Sequence, residues 1–99
     1  MFKHIVMWKL GAAEGRSKED NVRRAKALLD GLKSKIPRLR ALEVGINALP
    51  GQNASDLVLS SEFDNFADFE NYLKHPEHLK VVEALKASWT ERRAVDYET

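Results

Sequence analysis

An α+β fold built on a four-stranded antiparallel sheet follows from three features of this 99-residue chain. Strand-like runs and helix-like stripes follow one another in the order strand, helix, strand, strand, helix pair, strand. The first run, Phe2 to Leu10, carries apolar side chains on both parities, so both of its faces are expected to be covered. His75-Pro76 cuts the last helical stretch in two, because proline cannot continue a helix.

Each element has its own local reason. Residues 2–10 are short and rich in aromatic and β-branched types, which reads as a strand. Phe2, Val6, Trp8 and Leu10 share one parity; Ile5 and Met7 share the other. Gly11 to Ser17 reads as a loop. Ser17 is a candidate N-cap with Asp20 three residues on, an imperfect capping box. A helix is expected from there to about Ile36, with Val22, Ala25, Leu29, Leu32 and Ile36 on one stripe. Pro37 ends it. Residues 39–48 form a second strand, with Leu42, Val44 and Ile46 on one face. Leu49 to Asn53 is turn chemistry. Residues 56–63 form the third strand, paired to the second as a hairpin. Leu57, Leu59 and Phe63 share one parity there, and Val58, Ser60 and Glu62 the other. Asp64-Asn65 caps a helix carrying Phe66, Phe69, Tyr72 and Leu73. Pro76 is expected at the first position of a further helix, whose inner stripe is Leu79, Val82, Leu85 and Trp89. Val95 and Tyr97 mark a last strand near 91–98.

That order is the ferredoxin-like split βαβ plan, with helices on one face of the sheet. Residues 1–99 read as a single domain. The other face is expected to hold Ile5, Met7, Val58 and Ala94, and an apolar face of this kind needs a cover. A second copy of the same sheet about a two-fold axis is the economical one. The expected assembly is therefore a homodimer through sheet faces, a dimeric α+β barrel.

Composition removes several function classes. A formal net charge of +1 argues against nucleic acid as the main partner, which demands a basic excess or stripe. Lys33, Lys35, Arg38 and Arg40 read as a solvated rim. With no cysteine, disulfides, thiolate nucleophiles and cysteine-bound metals are excluded. No apolar run approaches the ~20 residues that span a bilayer. The first ten residues, interrupted by Lys3 and Lys9, lack the pattern of a signal peptide. A cytoplasmic protein with no membrane contact is expected.

The chemistry-bearing segment is Tyr72-Leu73-Lys74-His75-Pro76-Glu77-His78. It holds two of the three histidines; the third, His4, lies in the first strand. Imidazole exchanges protons near neutral pH, so a tyrosine and a histidine one to two turns apart can form an acid–base pair. The plainer alternative is a helix stop and restart, with His78 a surface residue on the first new turn. His75 and His78 are spaced to share a metal, but no third ligand is clearly placed; neither a metal site nor a cofactor is expected.

Four stretches together resemble the stress-responsive dimeric α/β-barrel (Dabb) proteins. They are Met1-Phe2-Lys3-His4-Ile5-Val6-Met7-Trp8-Lys9, Ile36-Pro37 with Leu42-Glu43-Val44-Gly45, Asp68 to His78 with its Y-x-x-H-P-x-H pattern, and Val95-Asp96-Tyr97-Glu98. The likeness runs through nearly the whole chain in order. It implies the dimeric barrel; most members of the family have no assigned reaction. Plant members include a polyketide cyclase in which residues matching Tyr72 and His78 perform an aldol closure, with a histidine matching His4 in the same pocket. The chain departs from that cyclase at Leu57, where the cyclase has histidine.

Two functions follow. One is a barrel that binds a small apolar or carbonyl-containing molecule in a cavity lined by His4, Leu57, Tyr72 and His78. The other is a cofactor-independent cyclase or lyase in which His78 abstracts a proton next to a carbonyl, Tyr72 serves the developing oxyanion and His4 positions the substrate. Trp8 and Trp89 read as core or interface anchors, and Asp96-Tyr97 is assigned no chemistry.

Overall fold

The structure, a computed structural model, describes residues 1–99. The elements are β1 (Phe2–Leu10), α1 (Lys18–Asp30), a 3-10 turn (Gly31–Ser34), β2 (Ala41–Ile46), β3 (Leu57–Phe63), α2 (Phe66–Lys74), α3 (Pro76–Lys86) and β4 (Trp89–Glu98). The sheet runs β2-β3-β1-β4, with every neighbouring pair antiparallel. The three helices lie on one face, as the sequence predicts.

Parity decides which side chains meet the helices. Phe2, His4, Val6, Trp8 and Leu10 of β1 and Leu57, Leu59, Ser61 and Phe63 of β3 are buried. They join Val22, Ala25 and Leu29 of α1, Phe69 and Tyr72 of α2, and Val81 and Leu85 of α3 in the core. Each such aliphatic or aromatic side chain stabilises the fold by roughly 1.5–3 kcal/mol relative to exposure. Two polar residues sit in this layer at β1–β3. Ser61 Oγ satisfies one acceptor by donating to the His4 carbonyl at 3.1 Å.

The first helix ends earlier than its apolar stripe. Ser17 caps it, its hydroxyl accepting from the Asp20 N–H at 3.1 Å. Gly31 caps the other end, and the chain tightens into the 3-10 turn. Leu32 and Ile36 are still buried. The hydrophobic pattern therefore outlasts the α-helix: the stripe records burial, whereas Gly31 sets where the α-helical ladder stops.

The α2–α3 junction forms as expected. Asn65 caps α2 by accepting from the Asp68 N–H at 2.9 Å. His75 ends α2 in an extended conformation (ψ 133°), the geometry favoured before proline, and Pro76 opens α3. His75 also caps α3: its Nδ1 accepts from the Glu77 N–H at 3.1 Å.

Two assignments at the end of the chain differ from expectation. The inner stripe of α3 is His78, Val81, Val82 and Leu85, while Leu79 is 52% exposed. Trp89 is no longer helical; it begins β4 and pairs with Leu10. The register shifts between Lys9 and Leu10, so a bulge separates Trp89 from the regular ladder. Ala94 is the second difference. It pairs with Val6 and so faces the helix side, and the outward residues of β4 are Arg93, Val95 and Tyr97, opposite Met7, Ile5 and Lys3. Antiparallel partners share a face, so the register fixes this assignment.

The outward face is apolar along its middle. Ile5 and Val58 are half-buried, whereas Met7, Val95 and Tyr97 are exposed. Lys3–Glu62 and Lys9–Glu91 ion pairs flank the strip. Gly45 lies beside Val58 on this face, and a Cβ there would stand 3.2 Å from Val58 Cγ1. No helix of the chain is long and apolar enough to cross a membrane.

Candidate functional site

The α3 stripe and the sheet enclose a cavity of about 290 Å³. β1 contributes His4, Val6 and Trp8, and β3 contributes Leu59. Leu29, Val81, Val82, Leu85 and Trp89 complete the apolar wall, and Tyr72, His78 and Arg92 supply further polar groups. His4, Tyr72 and His78 therefore share one space. Three different elements deliver them: a strand, the end of α2 and the first turn of α3. The break at Pro76 lets α3 turn back so that its stripe, His78 included, faces the sheet.

The rings form a contiguous chain. Tyr72 and His78 have centroids 4.3 Å apart, and His4 and Tyr72 6.2 Å. Phe69 stands behind them, 4.8 Å from both His4 and Phe2. Aromatic packing of this sort fixes ring orientation as well as burying area.

Hydrogen bonds fix the tautomers. His4 Nδ1 meets the Asp96 carboxylate. His78 Nδ1 meets the Leu73 carbonyl at 3.2 Å. Both partners only accept when Asp96 is ionised, so each neutral imidazole carries its proton on Nδ1 and keeps a lone pair on Nε2. Neither Nε2 has a protein partner. Burial lowers the proton affinity of His4, and the Asp96 contact only partly opposes this. Burial likewise lowers that of His78, against the Leu73 carbonyl. Both rings are therefore held toward the neutral, proton-accepting form. Burial moves Tyr72 the other way, well above the ordinary phenol value. Its hydroxyl stays protonated and can donate.

Leu57 does not join this site. It lies opposite Trp8, whereas Leu59, opposite Val6, is the β3 residue in the cavity wall. His75 is also apart, because its ring is used as a helix cap. No group of three or more His, Asp or Glu side chains is arranged to hold a metal ion. Arg92 carries no motif of its own in the sequence, and Asp96 stands in the family-like Val95-Asp96-Tyr97-Glu98 stretch without a chemical role there. The signal that locates them is register: β4 residues 92 and 96 fall opposite Trp8 and His4. Trp8 Nε1 is buried without a partner next to the cavity, an arrangement that costs stability.

A larger, open groove of about 510 Å³ lies between the start of α1 and the β2–β3 connection. Lys18, Glu19, Arg23 and Asp56 line it together with Val22 and Ile46. Lys18 and Asp56 pair across it at 3.1 Å, and it contains none of the histidines. Size alone does not make it the site; the smaller cavity gathers the groups that can exchange protons.

Comparison with known proteins agrees with this architecture. No curated protein matches the chain in sequence. A dimeric ferredoxin-like protein of unknown function from Bacteroides fragilis is 36% identical, with a TM-score of 0.84 over 99% of this chain and 95% of that one. A dimeric ferredoxin-like protein of unknown function from Jannaschia is 28% identical, with a TM-score of 0.77 over 99% and 98%. The hydroxynitrile lyase of Passiflora edulis shares the fold at 17% identity, with a TM-score of 0.76 over 97% and 90%. The model of the stress responsive A/B barrel domain matches residues 2–99, and the chain belongs to that family, Dabb.

Proposed function

We propose that this protein is a homodimer that binds a small apolar or carbonyl-containing molecule in the cavity between α3 and the sheet of each protomer. The observation that carries the reading is the convergence of His4, Tyr72 and His78 on one apolar space, with both Nε2 atoms unpartnered. A volume near 290 Å³ lies at the lower end of ligand pockets, which start at about 300 Å³. The dimer joins the outward sheet faces through Ile5, Met7, Val58, Val95 and Tyr97; the dimeric relatives support it. Both tryptophans of the chain line the cavity, so intrinsic fluorescence reports its occupancy. Titration with cyclohexyl methyl ketone is expected to give a saturable change. A response that rises linearly to the solubility limit would remove the reading.

A second reading, proton-transfer catalysis without a cofactor, is favoured by the tautomers. The Nε2 lone pair on His78 would take a proton from the carbon next to a carbonyl, with His4 positioning the substrate. The electron pair left behind moves into the carbonyl, and the Tyr72 hydroxyl donates a hydrogen bond to the resulting enolate oxygen. The lyase of the same fold from Passiflora edulis is compatible with such use of this scaffold, although one fold hosts many functions. In heavy water, the protein is expected to speed deuterium exchange into the methyl group next to the carbonyl of cyclohexyl methyl ketone. His78→Ala should abolish the acceleration. Exchange no faster than in buffer would leave binding as the function.

A further inference from the structure

Arg92 is the one permanently charged side chain in the cavity wall. The other arginines are engaged. Arg16, Arg23, Arg38, Arg40 and Arg93 each pair with a carboxylate, and Arg24 reaches the Ala84 carbonyl. Arg92 has neither an ion pair nor a hydrogen bond within the protein. Its position is set by a rigid element: it lies opposite Trp8 in the β1–β4 ladder, on the helix-facing side.

The carboxylates nearest to it along β4 are committed elsewhere. Asp96 holds His4. Glu91 points to the opposite face, where it pairs with Lys9 and Arg93. The Arg92 charge is close enough to the reacting groups to lower the proton affinity of His4, Tyr72 and His78 together. An unpaired guanidinium at the mouth of an apolar cavity is matched by a planar anion, which it can grip through two parallel N–H donors.

We infer that the ligand of this cavity is a small carboxylic acid, its apolar part against Val81, Val82, Leu85 and Trp89 and its carboxylate on Arg92. The inference rests on the cavity being a ligand site and adds the class of ligand. The same charge serves the second reading. An acid anchored at Arg92 leaves the rest of the molecule among the two free Nε2 atoms and the Tyr72 hydroxyl.

Two probes of nearly equal shape separate the inference from the reading beneath it: cyclohexanecarboxylate and cyclohexyl methyl ketone. Each is titrated near neutral pH, where the acid is ionised, with tryptophan fluorescence as the readout. The acid is expected to bind about tenfold more tightly than the ketone, a difference of ~1.4 kcal/mol. That preference should shrink as ionic strength rises, because Arg92 is exposed and its charge is screened. In Arg92→Gln the ratio is expected to fall to near unity, and Arg92→Lys should keep part of it. Saturable ketone binding with no preference for the acid would overturn the inference alone, as would a preference unchanged in Arg92→Gln. Failure of both probes to bind would overturn the cavity reading and the inference with it.

Discussion

His4 and His78 are opposed by burial in the same sense, and this has a consequence for stability. Both have proton affinities lowered in the folded protein, chiefly by loss of solvent. The unfolded chain takes up protons at the ordinary value near 6.5, the folded chain only at lower pH. As pH falls below about 6.5, the unfolded state therefore binds more protons and stability declines, by at most ~1.4 kcal/mol per pH unit for each ring. Above that value the contribution is complete. Both rings contribute, His4 through its deep burial, opposed in part by Asp96, and His78 from a partly open position. Urea unfolding between about pH 7.5 and 5.5 is expected to show this loss in the wild type and a flatter profile in His4→Gln/His78→Gln. A wild-type stability that is level or rises across that window would contradict the account of the two rings. Tyr72, His78 and His4 were legible as candidates from residue type and from the family likeness. Asp96 and Arg92 were not, since nothing local in Arg92-Arg93 or Asp96-Tyr97 distinguishes a cavity residue from a surface one.

At the scale of elements, what the sequence reveals well is alternation and punctuation. The parity of Phe2 to Leu10 and of Leu57 to Phe63 assigns every side chain of β1 and β3 to the correct face. Ser17, Asn65 and the His75-Pro76 pair mark helix starts by capping chemistry that is local in sequence. Helix phase is harder to read. On α3, Leu79 and Val82 stand three apart and suggest an apolar stripe through Leu79, yet Leu79 is exposed and Val81 is buried. Both phases offer enough apolar residues, so tertiary packing against β1 and β3 chooses between them. The choice matters, because the phase that buries Val81 also turns His78 to the cavity. The parity of β4 failed for a related reason. The register shift between Lys9 and Leu10 re-aims the strand by one residue, which moves Ala94 inward and Val95 and Tyr97 outward.

In the whole molecule the two faces of the sheet have different tasks. One carries the core and the cavity; the other leaves Met7, Val95 and Tyr97 uncovered in the single chain. Met7→Lys would place an ammonium in the middle of the proposed sheet–sheet contact, beside Arg93 in the same sheet. Burying an ion costs several kcal/mol, and a homodimer carries the substitution in both subunits. Sedimentation at micromolar concentration is expected to give twice the chain mass for the wild type and the single mass for Met7→Lys. A folded wild-type monomer would exclude this interface. The cavity itself is tested most directly by the chain's three histidines, two of which line it while His75 is tied up in the α3 cap. Their imidazole C–H resonances are followed in nuclear magnetic resonance spectra as cyclohexyl methyl ketone is added. The expected result is that His4 and His78 shift together along one binding curve while His75 stays in place. Movement of His75 alone, or no movement of either cavity ring at saturating ketone, would contradict the assignment of this cavity as the binding site.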